Sequence, residues 1–162
     1  MKQLFFIILT VLSFKAYGQK PYQLQGSEVL TGKEIIFKTG IAELEKSSDE
    51  ALQIVKLYLV DKPYISLLRV ESHTDNATPN AQNLSEKRAL AICKRLVELG
   101  VDCKRLIATG FGANKPIADN STPVGKVQNR RINFINVAIK DRVIGGLPTN
   151  GGGVVAGDVC KN

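Results

Sequence analysis

Residues 70–75 read VESHTD and residues 84–89 read LSEKRA, and these two stretches decide the fold. The run at 65–70 is apolar and rich in β-branched residues, which predicts a buried strand. A polar, proline-containing loop follows from residue 76. Asp75 therefore falls where a strand ends and a loop begins.

The second stretch has the pattern of a helix start. Ser85 is a favourable N-cap, and apolar residues behind it recur at helical spacing up to Gly100, a residue suited to the position just past a helix. We therefore expect a helix over residues 85–99, with Arg88 in its first turn. A cation there is opposed by the helix dipole, so an anionic ligand held by the guanidinium and the free backbone N–H groups would explain its position.

These residues resemble the signature of the OmpA-like peptidoglycan-binding domain, in which a strand ends in H-T-D and L-S-x-x-R-A opens a helix. The resemblance covers residues 34–139. Further matching blocks are IFKTG at 36–40, AEL at 42–44, GFG at 110–112, KP at 115–116, DN at 119–120 and NRRINF at 129–134. It implies an α/β (α+β) sandwich, with a βαβαβ core and helices packed on one face of a mixed sheet.

The alternation of strand and helix patterns along the chain also favours a helix-on-sheet architecture. A capping-box spacing at Ser47 and Glu50 indicates a first helix that ends before Pro63. The expected strands are 34–38, 65–72, 106–109 and 132–139, with a loop through Pro123 before the last one.

The ends of the chain differ from its centre. Residues 1–18 have the pattern of a signal peptide, with Lys2 before a short apolar run and small residues at Ala16 and Gly18. We expect residues 19–32 to be a loose lead-in, residues 33–140 to form the domain, and residues 141–162 to be a glycine-rich tail with little regular structure. The expected location is the periplasm, in association with the wall and the outer membrane.

The chain is basic, with a net charge of +7. The basic residues are scattered, and no pair of aromatic residues is spaced like a base-stacking platform. Together with export, this argues against a nucleic-acid partner.

Asp75 and Arg88 are the main candidate site residues. Many wall stem peptides carry diaminopimelate, whose free end holds an ammonium beside a carboxylate. Asp75 can accept from the ammonium and Arg88 can grip the carboxylate, and the resemblance assigns these roles to the same two positions. The alternative is a structural salt bridge between the two side chains.

Four further residues are candidates because they match positions of the family, three in its pocket and one in its N-R-R element. Phe37, Thr39 and Leu84 match pocket positions, although Phe37 and Leu84 also fit an ordinary core. Arg131 matches the second arginine of the family's N-R-R element, where bracing of the sheet is the more common role. The loop after Asp75 is shorter than is usual in the family.

Nothing in the sequence indicates a cofactor, a metal site or catalysis. His73 is the only histidine and lacks partners at metal-ligand spacing, so we interpret it as structural or surface. The GFG at 110–112 lacks the third glycine of a dinucleotide loop. The leading hypothesis is a non-catalytic module that binds peptidoglycan, with outer-membrane proteins as further partners. Two alternatives stay open: a wall-active hydrolase, and an interaction protein that has kept the fold and lost wall binding.

Three cysteines allow one disulfide in an oxidising compartment. Cys93 lies inside the predicted second helix, whereas Cys103 follows that helix and Cys160 ends the tail. We therefore predict a Cys103–Cys160 disulfide, with Cys93–Cys103 as the alternative.

Overall fold

The computed structural model describes residues 19–146 and 150–161. The predicted signal peptide at 1–18 lies outside the described residues. The helices are α1 (Asp49–Asp61), α2 (Ala81–Glu98) and α3 (Pro123–Asn129), with short 3-10 turns at Lys46–Ser48 and Cys103–Arg105. The strands are β1 (Gln23–Gln25), β2 (Glu28–Leu30), β3 (Ile65–His73), β4 (Leu106–Gly112), β5 (Ile132–Ile139), β6 (Arg142–Val143) and β7 (Val154–Val155).

The strands form one mixed sheet in the order β1-β2-β5-β3-β4-β7, and β6 pairs with β5. At its centre, β3 runs parallel to β4 and antiparallel to β5. Leu68 and Val70 point from β3 into a core shared by the apolar faces of α1 and α2, where Leu52 and Ile92 are fully buried. The predicted fold class is confirmed. Within the described residues, no helix is both long and apolar enough to cross a membrane.

The second helix begins four residues earlier than predicted. Ser85 is not its N-cap but a buried residue of its second turn, whose Oγ donates to the carbonyl of Gln82 and accepts from the N–H of Gly112, both at 2.8 Å. The serine hydroxyl therefore ties the helix to the end of β4. Arg88 lies beyond the first turn as a result, and the helix-dipole argument for a ligand at that position is wrong.

The end of α2 agrees with the prediction. Gly100 has φ +98° and follows the C-cap residue Leu99. Its N–H donates to Val97, and the N–H of Val101 donates to Leu96, which is the hydrogen-bond pattern of a Schellman motif.

The predicted first strand of the sheet is wrong. Residues 34–38 are not a strand, because only Phe37 forms an isolated bridge, with Leu44. The first strands are instead β1 and β2, a hairpin inside the predicted lead-in, and β2 pairs with β5. Three-residue strands are too short to show a hydrophobic period, which is why the sequence did not indicate them.

The start of α1 also differs from the prediction. Ser47 does not cap α1, because the residue directly before the helix is Ser48. The Ser48 hydroxyl accepts from the N–H of Ile36 at 2.8 Å and donates to its carbonyl at 2.9 Å. The serine thereby fixes the segment that precedes the cleft described below. The helix ends before Pro63, as predicted.

The loop predicted through Pro123 contains the start of α3. Thr122 caps this helix by accepting from the N–H of Gly125 at 3.0 Å, and Pro123 occupies its first turn. A threonine followed by proline is a recognised helix start, so the signal was present in the sequence.

The C-terminal tail is partly structured, contrary to expectation. β6 pairs with β5, and β7 adds to the free edge of β4. Cys103 and Cys160 form a disulfide with an Sγ–Sγ distance of 2.06 Å, and Cys93 is a buried free thiol. The tail is held by backbone pairing, by the disulfide and by Ala156 and Val159, which are buried in the core, and these scattered contacts need no apolar periodicity.

Candidate ligand-binding cleft

A cleft of about 1070 Å³ lies between the segment 28–40 and the ends of β3 and β5. The six predicted binding residues all line it: Phe37, Thr39, Asp75, Leu84, Arg88 and Arg131. They come from four separate parts of the chain, which the central strands and α2 bring together.

Asp75 is 4% exposed and is held by three donors. Its Oδ1 accepts from the N–H of Ala77 at 3.0 Å and from the hydroxyl of Thr78 at 2.8 Å, and its Oδ2 accepts from Arg130. Burial opposes ionisation, but the bonds from Thr78, Arg130 and Ala77 outweigh it and hold the pKa of Asp75 below its ordinary value. Asp75 is therefore a fixed carboxylate at neutral pH.

Arg88 reaches the same cleft from α2. Its Nε donates to the carbonyl of Ile41 at 3.1 Å, and its guanidinium carbon lies 4.8 Å from the centre of the Phe37 ring. Burial and the nearby charge of Arg130 lower its pKa. Asp75 forms its ion pair with Arg130 and not with Arg88, so the structural salt bridge weighed as the alternative exists at Asp75 but with a different arginine.

The remaining predicted residues differ in their contacts. Phe37 is half-buried beneath Arg88 and packs against the core, whereas Thr39 is exposed at the rim. Leu84 is half-buried in the first turn of α2. Arg131 donates to the carbonyls of Asn129 at 3.4 Å and Lys115 at 3.1 Å, which braces the start of β5.

Arg130 is the cleft residue that sequence reasoning missed. It follows α3 directly, and α3 places it opposite Asp75. The N-R-R element contains both arginines, but the family resemblance assigned a role only to Arg131. Recognition of Thr122 and Pro123 as a helix start would have indicated where the first arginine lies.

His73 is buried, as a structural residue would be. Its ring stacks on Phe111 with centroids 4.9 Å apart, and its Nε2 lies 3.4 Å from a carboxylate oxygen of Glu71. Burial lowers its pKa, so the ring is neutral at pH 7. Among residues 19–146 and 150–161, no group of three or more acidic, histidine or cysteine side chains is placed to hold a metal.

Comparisons with known proteins agree with the family indicated by the sequence. The OmpA family profile matches residues 36–130. The outer-membrane lipoprotein YfiB of Pseudomonas aeruginosa is 32% identical over 115 residues, which are 68% of this chain and 67% of the relative. The sodium-type flagellar protein MotY of Vibrio parahaemolyticus is 36% identical over 92 residues, but the match spans 31% of its length.

A solved structure shows the same fold. The peptidoglycan-associated lipoprotein from Burkholderia pseudomallei superposes with a TM-score of 0.56 at 25% identity. The superposition covers 65% of this chain and 91% of that one.

Proposed function

The chain belongs to the OmpA family, and from this premise we propose that it is a non-catalytic module that binds peptidoglycan and tethers the cell envelope to the wall. The names of two similar proteins, one an outer-membrane lipoprotein and the other a peptidoglycan-associated lipoprotein, support an envelope location. Other outer-membrane proteins are the expected further partners.

The proposed ligand is the free end of diaminopimelate in a wall stem peptide. One observation carries this proposal: a fixed carboxylate, Asp75, and a guanidinium, Arg88, line one cleft without being paired to each other. A zwitterion with adjacent ammonium and carboxylate groups would complement both. A carboxylate offers about four lone-pair sites, and three donors already reach Asp75, two at Oδ1 and one at Oδ2, so Oδ2 has room for one further donor.

The charge state of Asp75 argues against a role as general acid in hydrolysis. A general acid at neutral pH needs a raised pKa, whereas the pKa of Asp75 is lowered by the donors around it. A hydrolase would have to draw on a different group to donate a proton to the leaving group.

The short loop after Asp75 also supports wall binding over its loss. Ala77 and Thr78, which belong to this loop, are two of the three groups that hold Asp75. The shortened loop therefore keeps the anchor in place.

The test is a pull-down with purified sacculi, run beside a dye-release assay on labelled wall. We expect the wild-type chain to bind without releasing dye. Asp75→Ala and Arg88→Ala should each weaken binding at least tenfold, because loss of a charge-assisted contact is worth roughly 1.5–3 kcal/mol. Arg88→Lys should recover part of the loss, since lysine keeps the charge without the fork.

Lys87→Ala is the matched control, because Lys87 is the exposed neighbour of Arg88 on α2. It removes the same charge from outside the cleft and should bind as wild type does. Wild-type binding by both alanine variants would contradict the proposal, and dye release would favour the hydrolase.

A further inference from the structure

The central strands have two ends, and the cleft occupies one of them. β3 spans nine residues, and at about 3.3 Å per residue its start at Ile65 lies roughly 26 Å from its end at the cleft. Because β5 runs antiparallel to β3, the last residues of β5 and the turn into β6 lie at this far end. The N–H of Lys140 in that turn donates to the carbonyl of Tyr64 at 2.8 Å, which places Tyr64 there too.

The far end combines positive charge with exposed apolar side chains. Tyr64, Val143 and Ile144 are 42%, 67% and 52% exposed. Three cations accompany them, and none of the three is ion-paired within the described part of the chain. We call the six residues together the hairpin surface: Lys62, Tyr64, Lys140, Arg142, Val143 and Ile144.

The carboxylates beside these residues in the chain do not neutralise the hairpin surface. Asp61 is already bonded to Lys20 at 2.6 Å and to the hydroxyl of Tyr22 at 3.0 Å. Asp141, at the tip of the turn, is a single charge against three cations. The hairpin surface therefore attracts anions.

The turn between β5 and β6 holds a lysine where the backbone disfavours one. Lys140 and Asp141 have φ values of 47° and 63°, and Ile139 pairs with Arg142 on either side of them. A two-residue hairpin loop with both φ values positive favours glycine, asparagine or aspartate. Asp141 fits this preference and Lys140 does not, so the lysine needs another reason for its place, such as a charge presented beyond the end of the sheet.

Backbone bonds hold the hairpin in a fixed position. The N–H of Asp141 donates to the hydroxyl of Ser66 at 2.8 Å, and the N–H of Ile144 donates to the carbonyl of Val137 at 2.9 Å. Val143 and Ile144 are thus presented to solvent by a rigid support. Adjacent aliphatic side chains flanked by cations and a tyrosine are typical of a surface that lies at the lipid–water boundary.

We propose that the hairpin surface rests on an anionic phospholipid bilayer. Val143 and Ile144 enter the headgroup layer, and the three cations contact lipid phosphates. A phosphate-bearing polymer such as nucleic acid would use the cations but leave the two aliphatic side chains in water, whereas a bilayer uses both. The inference goes beyond the proposed function, because the cleft lies at the other end of the sheet, and wall and membrane can be held together by one domain.

Co-sedimentation with vesicles tests the charged part of the surface. Natively expressed protein should bind vesicles of phosphatidylethanolamine with phosphatidylglycerol, bind phosphatidylcholine vesicles far less, and lose affinity as salt is raised. Lys140→Asn, which suits the turn, and Arg142→Ala should each weaken binding to the anionic vesicles about fivefold, the contribution of one cation near such a surface. Lys87→Ala removes a cation beside the cleft and is the matched control. Comparison between variants cancels any contribution from residues 1–18, which all of them share.

Tryptophan fluorescence tests the apolar part, because the chain contains no tryptophan. The emission of Ile144→Trp should shift to shorter wavelength on anionic vesicles. Val124→Trp is the control, since Val124 is 68% exposed on α3, the helix that leads to the cleft, and its emission should not change. Melting curves establish that each variant is folded.

The outcomes separate this inference from wall binding. Equal binding to both kinds of vesicle, equal shifts of the two tryptophans, or wild-type binding by both Lys140→Asn and Arg142→Ala overturns it. Absence of vesicle binding also overturns it and leaves the hairpin surface to a protein partner. Asp75→Ala should lose affinity for sacculi and keep its affinity for vesicles, whereas a wild-type chain that binds vesicles but no sacculi contradicts the proposed function alone.

Discussion

At the scale of single residues, the cleft depends on how Asp75 is held. A buried carboxylate ordinarily resists ionisation, but three donors reach this one from its own loop and from the end of α3. The charge is fixed in position before any ligand arrives, which reduces the ordering that binding requires.

Arg130→Ala should lower the free energy of unfolding by about 1 kcal/mol at pH 7, since the pair is partly exposed. Folding lowers the pKa of Asp75. The ionised side chain therefore stabilises the fold at pH values above its pKa in the unfolded chain, and this stabilisation is lost as the pH falls through its pKa in the folded protein. The difference between variant and wild type should therefore shrink below about pH 4. Urea unfolding from pH 7 to pH 2 measures this difference in the free energy of unfolding. Arg142→Ala, at an exposed arginine, is the control. A constant difference across that range would show that charge is not its origin.

The sequence identified both main candidate residues but not the contact between Asp75 and its partner. Asp75 and Arg88 are found because the strand end and the helix each have a local pattern. The choice of Arg130 over Arg88 as the ion-pair partner depends on where α3 ends, which is a tertiary property. Local patterns place residues on elements but do not decide which side chains meet.

At the scale of secondary-structure elements, long periodic segments were predicted well and short ones were not. β5 has its predicted bounds, and β3 extends one residue past the prediction. The start of α2 was misplaced because Ser85 uses its hydroxyl in a tertiary contact with Gly112, and a serine in a contact of this kind looks the same in sequence as an N-cap. Ser48 and Ser85 both use their hydroxyls to join separate parts of the fold and not to cap a helix.

Ser48→Ala tests this role at the start of α1. The change leaves the backbone N–H of Ile36 without its partner and removes one of the two donors to its carbonyl, so the free energy of unfolding should fall by about 1–2 kcal/mol. Ser47→Ala, at the position that the sequence predicted as the cap, should change it by less than about 0.5 kcal/mol, because Ser47 is exposed. Thermal or urea unfolding of both variants gives the comparison, and a larger effect at Ser47 would restore the capping-box interpretation.

Gly110 sets the distance between α2 and β4. A Cβ at this position would lie 2.4 Å from the backbone nitrogen of Glu86 and 2.7 Å from its Cα. Gly110→Ala should therefore cost about 3 kcal/mol or more, since neither backbone can move without repacking the core. Gly32→Ala is the control, because a Cβ there meets nothing within 4 Å and only its φ of +63° opposes the change, at a cost of about 1 kcal/mol. Equal melting temperatures for the two variants would mean that α2 is free to shift.

At the scale of the whole molecule, the sheet separates the cleft from the last part of the tail, which contains β7 and Cys160. Residues of β2 and β5 contribute to the cleft, whereas β7 closes the opposite edge at β4. None of the described tail residues lines the cleft. Stability and binding should therefore respond independently to changes in the tail.

The disulfide between Cys103 and Cys160 tests that independence. It closes a loop of 57 residues, for which chain entropy gives a stabilisation of about 4 kcal/mol. Cys160→Ser should lower the free energy of unfolding by about that amount and leave the affinity for a diaminopimelate muropeptide unchanged within about twofold. Lys161→Ser, next to it on the exposed end of the tail, is the control and should alter neither property.

Peptide mapping of the natively expressed protein without reduction should recover a 103–160 cross-link. A 93–103 cross-link or three free thiols would contradict the pairing, and a loss of affinity in Cys160→Ser would mean that the tail and the cleft are coupled through the sheet.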